Sequence, residues 1–168
     1  MPRLFAAIEL PAGHSQALLE QHRGIDAARW EREPHITLAH FGTVADDQAA
    51  DLGIALAAVH FTPFGLTPGG IGFFDRHVMW VGVEPSADLI ALAEKLASIR
   101  SRFVDEVERH GFNPHITLAH LRVPDEKQLT NYVSGFDHSA LTSFAVGSFT
   151  LFESDSGRYH QVAQYRAH

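Results

Sequence analysis

Cysteine is absent from all 168 residues. That excludes disulfides, thiol nucleophiles, iron–sulfur clusters and every zinc site that uses a cysteine. Long apolar runs are absent too, so no segment reads as a membrane-spanning helix. The apolar stretch Leu4 to Leu10 is short and interrupted by Glu9, and it reads as a first β-strand, not a secretory signal. Positive charge is scarce: 13 Lys and Arg stand against 20 Asp and Glu, a net charge of −7 with histidines neutral. Such a chain repels a long duplex or an anionic membrane on average, whereas a single phosphate can still be held by a few donors at close range. A cytoplasmic, monomeric protein is the default expectation. With 45% apolar and 20% charged residues, the length suits one domain or two tightly joined lobes around a packed core.

What the chain has in excess is histidine, twelve residues of it. Histidine is both the readiest proton carrier near neutral pH and a common metal ligand. Self-similarity narrows the choice. Pro34-His35-Ile36-Thr37-Leu38-Ala39-His40 recurs as Pro114-His115-Ile116-Thr117-Leu118-Ala119-His120, an offset of 80 residues. Two copies are too few for a solenoid and suit two lobes related by a pseudo-two-fold axis, one motif in each (35–38 and 115–118), within a single domain over 1–168.

Periodicity and breakers predict a strand at Arg3–Leu10 and a helix at Pro11–Arg23. Arg29-Trp30 and His35–Phe41 are expected to pair as strands closed by Gly42. A helix over Asp46–Val59 follows, then an irregular Gly- and Pro-containing segment over Phe61–Phe74 and a strand at Val78–Val83. Ser86 caps a long amphipathic helix reaching about Glu108. The second motif strand His115–Val123, a short helix near Asp125–Val133 and a hairpin of Phe144–Phe152 with Tyr159–Tyr165 complete an α+β fold: mainly antiparallel sheet, flanking helices and a central cleft.

On a strand, His35 and Thr37 share one face while Ile36 and Leu38 take the other, and the same holds for His115 and Thr117. Two such strands facing each other set two imidazoles and two hydroxyls across a cleft. One neutral histidine can accept a proton, a protonated one can donate to a leaving oxygen, and the threonines can donate to non-bridging phosphate oxygens. One His-x-Thr segment is more often structural; a duplicated one, with polar residues on the face that packing does not need, points to chemistry. A metal site built from His35, His40, His115 and His120 is the competing reading. The five-residue spacing turns His40 away from His35 on a regular strand, although a β-bulge after Leu38 would bring it back. A phosphate-binding module without catalysis is a third reading, disfavoured because binding alone needs no acid and base.

These paired motifs resemble the two-histidine phosphoesterase superfamily, and most closely its LigT-like branch of RNA 2′,3′-cyclic phosphodiesterases, also called 2′-5′ RNA ligases. Arg3-Leu4-Phe5-Ala6-Ala7-Ile8 resembles the family's opening strand, Arg29-Trp30 its approach to the first motif, and Leu151-Phe152-Glu153-Ser154 with Gly157 and Tyr159 its last hairpin. The resemblance implies a bilobed fold and hydrolysis of an RNA 2′,3′-cyclic phosphate, or of a related small cyclic nucleotide or 2′-5′-linked oligonucleotide, to a 2′-phosphate, with no metal or other cofactor. It implies His35 as proton donor, His115 as proton acceptor and Thr37 and Thr117 as phosphate ligands, with the two histidine roles exchangeable. The family usually carries an arginine where this chain has His120; protonated His120 or Arg122 is the expected substitute. Phe5 and Tyr159 are further possible substrate contacts, the alternative being core packing. Arg76 and Arg158 are read as solvated charges or backbone contacts, and His14, His22, His60, His110, His138 and His168 as surface residues.

Overall fold

In the computed structural model, residues 1–107 and 111–168 are described. The first half of the chain runs β1 (Arg3–Glu9), α1 (Ala12–Leu19), β2 (Ala28–Trp30), β3 (His35–Thr43), α2 (Asp46–Ala57), β4 (Phe64–Leu66) and β5 (Pro68–Phe74). The second runs β6 (Val78–Val83), α3 (Ala87–Phe103), β7 (His115–Leu121), α4 (Glu126–Gly135), β8 (Phe144–Val146), β9 (Ser148–Asp155) and β10 (Arg158–Arg166). With β2 and β10 set aside, both halves read strand, helix, motif strand, helix, short strand, long strand. Among the described residues, no helix is long and apolar enough to cross a membrane.

The strands form one sheet in the order β10-β9-β1-β3-β7-β6-β5, with all pairs antiparallel. The two motif strands sit at its centre. The last long strand of each chain half crosses over: β5 pairs with β6, and β9 pairs with β1. Short strands β4 and β8 pair with each other off the sheet. The fold is therefore α+β with two antiparallel halves, each containing strands from both halves of the chain.

Alternation explains which face is buried. Ile8, Ile36, Val81 and Ile116 are at most 2% exposed and lie on the core face. There α3 covers the sheet with Leu89, Leu92, Leu96 and Ile99 at helical spacing, and the Ser86 hydroxyl caps it by accepting from the Leu89 amide. This helix ends at Phe103, short of the expected boundary, whose last residue Glu108 lies outside the described residues, as does His110. Helix α1 likewise stops at Leu19, before Arg23.

One predicted pairing is wrong. Strand β2 does not pair with β3 but with β7, Arg29 opposite His120 and Trp30 opposite Ala119. The two motif strands meet in a single pair, Ile36 with Ile116, and then diverge. Divergence leaves backbone groups of β7 without partners, and β2 fills the wedge, with the Glu31 amide continuing the ladder to the Leu118 carbonyl at 2.8 Å. The segment Phe61–Phe74, expected to be irregular, resolves into two strands because each has a partner, the distant β8 for β4 and the adjacent β6 for β5.

Ile36 and Ile116 are both fully buried where the sheet halves join. Ile116→Ala is expected to cost about 2–5 kcal/mol and Ile116→Val about 0.5–1.5 kcal/mol in denaturant unfolding. An alanine cost under about 1 kcal/mol would show that this junction is not tightly packed.

Candidate active site

Each motif histidine is held the same way. The Nδ1–H of His35 donates to the Glu33 carbonyl at 2.7 Å, and that of His115 donates to the Asn113 carbonyl at 2.8 Å. A carbonyl can only accept, so Nδ1 carries the hydrogen and Nε2 is the nitrogen left for chemistry. Pro34 and Pro114 stand between each donor and acceptor; a residue preceding proline is driven extended, which helps to aim its carbonyl. The duplicated proline is thus part of the histidine mounting.

Thr37 and Thr117 lie two residues along on the same face as their histidines, half-buried. Neither hydroxyl is engaged by another described residue. Extending the Ile36–Ile116 register by one residue each way would set His35 towards Thr117 and Thr37 towards His115.

Both motif strands carry a bulge at the same place. Thr37 pairs with Ala7 and Ala39 with Ala6, so Leu38 is the extra residue; Thr117 pairs with Trp80 and Ala119 with Met79, so Leu118 is. Leu38 with Ala39, and Leu118 with Ala119, are all buried. Alternation resumes out of phase, so His40 returns to the face of His35. The Phe5 ring lies 5.2 Å from His35 and 5.9 Å from His40. The regular-strand expectation that His40 points away is overturned, the bulge being the reason. Among the described residues, no three His, Asp or Glu side chains converge as a metal-binding group.

The two histidines have different surroundings. His115 has the Phe74 ring edge-on at 4.9 Å and the Trp80 ring at 6.3 Å. Desolvation in this hydrocarbon setting, opposed by the Asn113 hydrogen bond and reinforced by the charge of His35, pulls the His115 pKa below its ordinary 6.5. His35 has Tyr159 edge-on at 5.2 Å as well as Phe5. The Tyr159 hydroxyl donates to Glu31 at 3.0 Å and its amide to Glu33 at 3.2 Å, fastening β10 to the loop before the first motif.

Of the other residues singled out from sequence, Phe5 is 5% exposed, among His35, His40, Phe152 and Tyr159. Arg122 is exposed just past the end of β7. His120 is half-buried, and burial with the nearby Arg29 charge lowers its pKa against the pull of Glu31. Arg76 forms an ion pair with Glu126, and Arg158 is exposed on the hairpin. His60, His138 and His168 are exposed as expected. His14 and His22 are not: His14 is 8% exposed and shares a 2.7 Å hydrogen bond with the Thr142 carbonyl, because α1 packs on the segment before β8. His22 is half-buried, stacked on Trp30 at 4.8 Å.

The sequence matches the model of the 2′-5′ RNA ligase superfamily over residues 7–158. The chain belongs to that superfamily. It is 34% identical over 107 residues to the RNA 2′,3′-cyclic phosphodiesterase of Aeropyrum pernix, a match spanning 60% of this chain and 61% of that protein. A second relative, the RNA 2′,3′-cyclic phosphodiesterase of Archaeoglobus fulgidus, is 25% identical over 166 residues, 90% of each chain. Among solved structures, apo E. coli LigT superposes with a TM-score of 0.77 at 27% identity over 99% of this chain and 97% of that one. LigT has also been solved in complex with 3′-AMP.

Within this superfamily member, sequence reasoning gave Arg29 no role of its own, beyond its likeness to the family's approach to the first motif, and passed over the aromatic pair Phe74 and Trp80. Arg29 adjoins the repeated motif but reaches it only through the β2–β7 pairing. Trp80 is seated over Gly72, where a Cβ would come within 2.2 Å of the indole. The Gly72 and Trp80 cross-strand pair is invisible until β5 and β6 are in register.

Titration of His115 by NMR is expected to give a midpoint below 6.5, moving up in His35→Ala as the neighbouring charge is removed. Gly72→Ala should displace the indole, admit water and move the His115 midpoint up as well. An unmoved midpoint in Gly72→Ala would assign the desolvation to other neighbours.

Proposed function

We propose that this protein hydrolyses the 2′,3′-cyclic phosphate end of RNA to a 2′-phosphate by acid–base catalysis between His115 and His35, without a metal ion. The observation that carries this reading is the matched mounting of the two imidazoles. Each donates Nδ1–H to the carbonyl two residues back, so each offers Nε2 on the face shared with Thr37 and Thr117. The names of the two archaeal relatives support the substrate class. Residues 1–168 act in this reading as one two-lobed unit, since each motif supplies half of the machinery; a monomer working on RNA ends in the cytoplasm fits it.

The base must be neutral when it acts, and burial among Phe74 and Trp80 holds His115 towards that state. Its Nε2 takes a proton from water as the water oxygen attacks phosphorus. The bond from phosphorus to O3′ breaks, and the Nε2–H of protonated His35 delivers its proton to O3′. The product carries a 2′-phosphate and a free 3′-hydroxyl, and one water is consumed. Thr37 and Thr117 donate to the non-bridging oxygens as charge builds on them. Arg29, opposite His120 at the edge of the same face, adds positive charge where the anion sits.

A short RNA ending in a 2′,3′-cyclic phosphate, incubated in excess EDTA, tests the reading. Clean conversion to the 2′-phosphate is expected, with His35→Ala and His115→Ala each losing about 10²–10⁴-fold. Formation of the 3′-phosphate would reverse the leaving oxygen, and loss of activity with EDTA restored by added metal would transfer the chemistry to a metal ion. Turnover of 2′-5′-linked or mononucleotide substrates alone would move the substrate class within the same mechanism.

A further inference from the structure

Beside His35, on the side away from His115, lies a cavity of about 220 Å³. Its lining includes Arg3, Phe5, His35, His40, Ser154 and Tyr159, and among the described residues no carboxylate contributes to it. In a chain of net charge −7 that is a selective local environment: one arginine and two histidines around a half-enclosed space. Arg3 opens β1, is exposed, and its guanidinium forms no ion pair or hydrogen bond with any described residue. It lies two residues from Phe5 on the same strand face, about 7 Å along β1. Phe5 touches His35, so the guanidinium stands one short step from the proposed proton donor, at the far end of an aromatic floor.

The chemistry of the cyclic phosphate says what this space would hold. In an in-line displacement the attacking water and the departing O3′ lie on opposite sides of phosphorus. Water is on the His115 side, so O3′ and the ribose that bears it are on the His35 side. The 5′ oxygen of that ribose leads on to the rest of an RNA strand, and the next anionic group along it is the preceding phosphodiester. The cavity offers it a cation, and Tyr159 offers a ring to the base between.

We propose that this cavity is a subsite for the phosphodiester on the 5′ side of the terminal nucleotide, with Arg3 as its cationic ligand, so that the protein acts on strand ends in preference to cyclic mononucleotides. The assignment rests on the reading of His35 as the group nearest O3′.

The test compares adenylyl-(3′→5′)-adenosine 2′,3′-cyclic phosphate with adenosine 2′,3′-cyclic phosphate in turnover, and adenosine 3′,5′-bisphosphate with adenosine 3′-phosphate in equilibrium binding. The wild type should favour the extended or 5′-phosphorylated molecule about tenfold or more in both assays, one charge-assisted contact. Arg3→Gln should bring both ratios to near one, Arg3→Lys should keep much of them, and rising salt should erode them. Equal binding of the two nucleotides by the wild type, or ratios untouched in Arg3→Gln, would overturn the subsite. Hydrolysis of both cyclic substrates with equal efficiency would overturn it while leaving the proposed reaction standing. Absence of hydrolysis together with an Arg3-dependent binding ratio would remove the reaction and keep the subsite.

Discussion

Everything functional in this molecule hangs on one backbone contact, the pairing of Ile36 with Ile116 at the centre of the sheet. It is the single register point between the two motif strands. Both isoleucine side chains are fully buried, so the contact is fixed from the core side. On the opposite face it brings the two His-x-Thr segments towards each other. Because pairing stops there, the strands part instead of closing a ladder. The same divergence makes room for β2, which carries Arg29 to His120.

Within that frame the motifs are alike in mounting and different in setting. Proline, a carbonyl two residues back and a bulge at the fourth motif residue are common to both. They orient the ring and choose its tautomer, which is what acid–base chemistry needs whichever way the proton moves. The difference in setting comes from the neighbours. Phe74 and Trp80 dry the surroundings of His115, and Gly72 exists as a space for the indole. His35 faces Tyr159, which Glu31 and Glu33 tie down, and opens onto the cavity that ends at Arg3. Two nearly identical segments are thus biased apart by residues that show no repeat at all.

Local pattern carried much of this into the sequence. The α+β class, both motif strands, Ser86 as a helix cap and the terminal hairpin follow from alternation, helical spacing and turn residues, all short-range effects. The strand exchange between chain halves, the β2–β7 pair and the burial of His14 do not, because each depends on partners distant in the sequence. The bulge stands between these cases. Adjacent buried Leu38 and Ala39 break the period, yet a bulge and a simple strand end write the same pattern.

The repeated Pro-His-Ile-Thr-Leu-Ala-His segment alone dictated which side chains could do chemistry and which face of each strand they share, since period-two alternation is a property of the backbone. It left the two histidines interchangeable. What separates them is solvation and neighbouring charge at each imidazole. Those are set by Trp80, Phe74 and Tyr159 arriving from other strands, and desolvation arises only where distant parts of the chain meet.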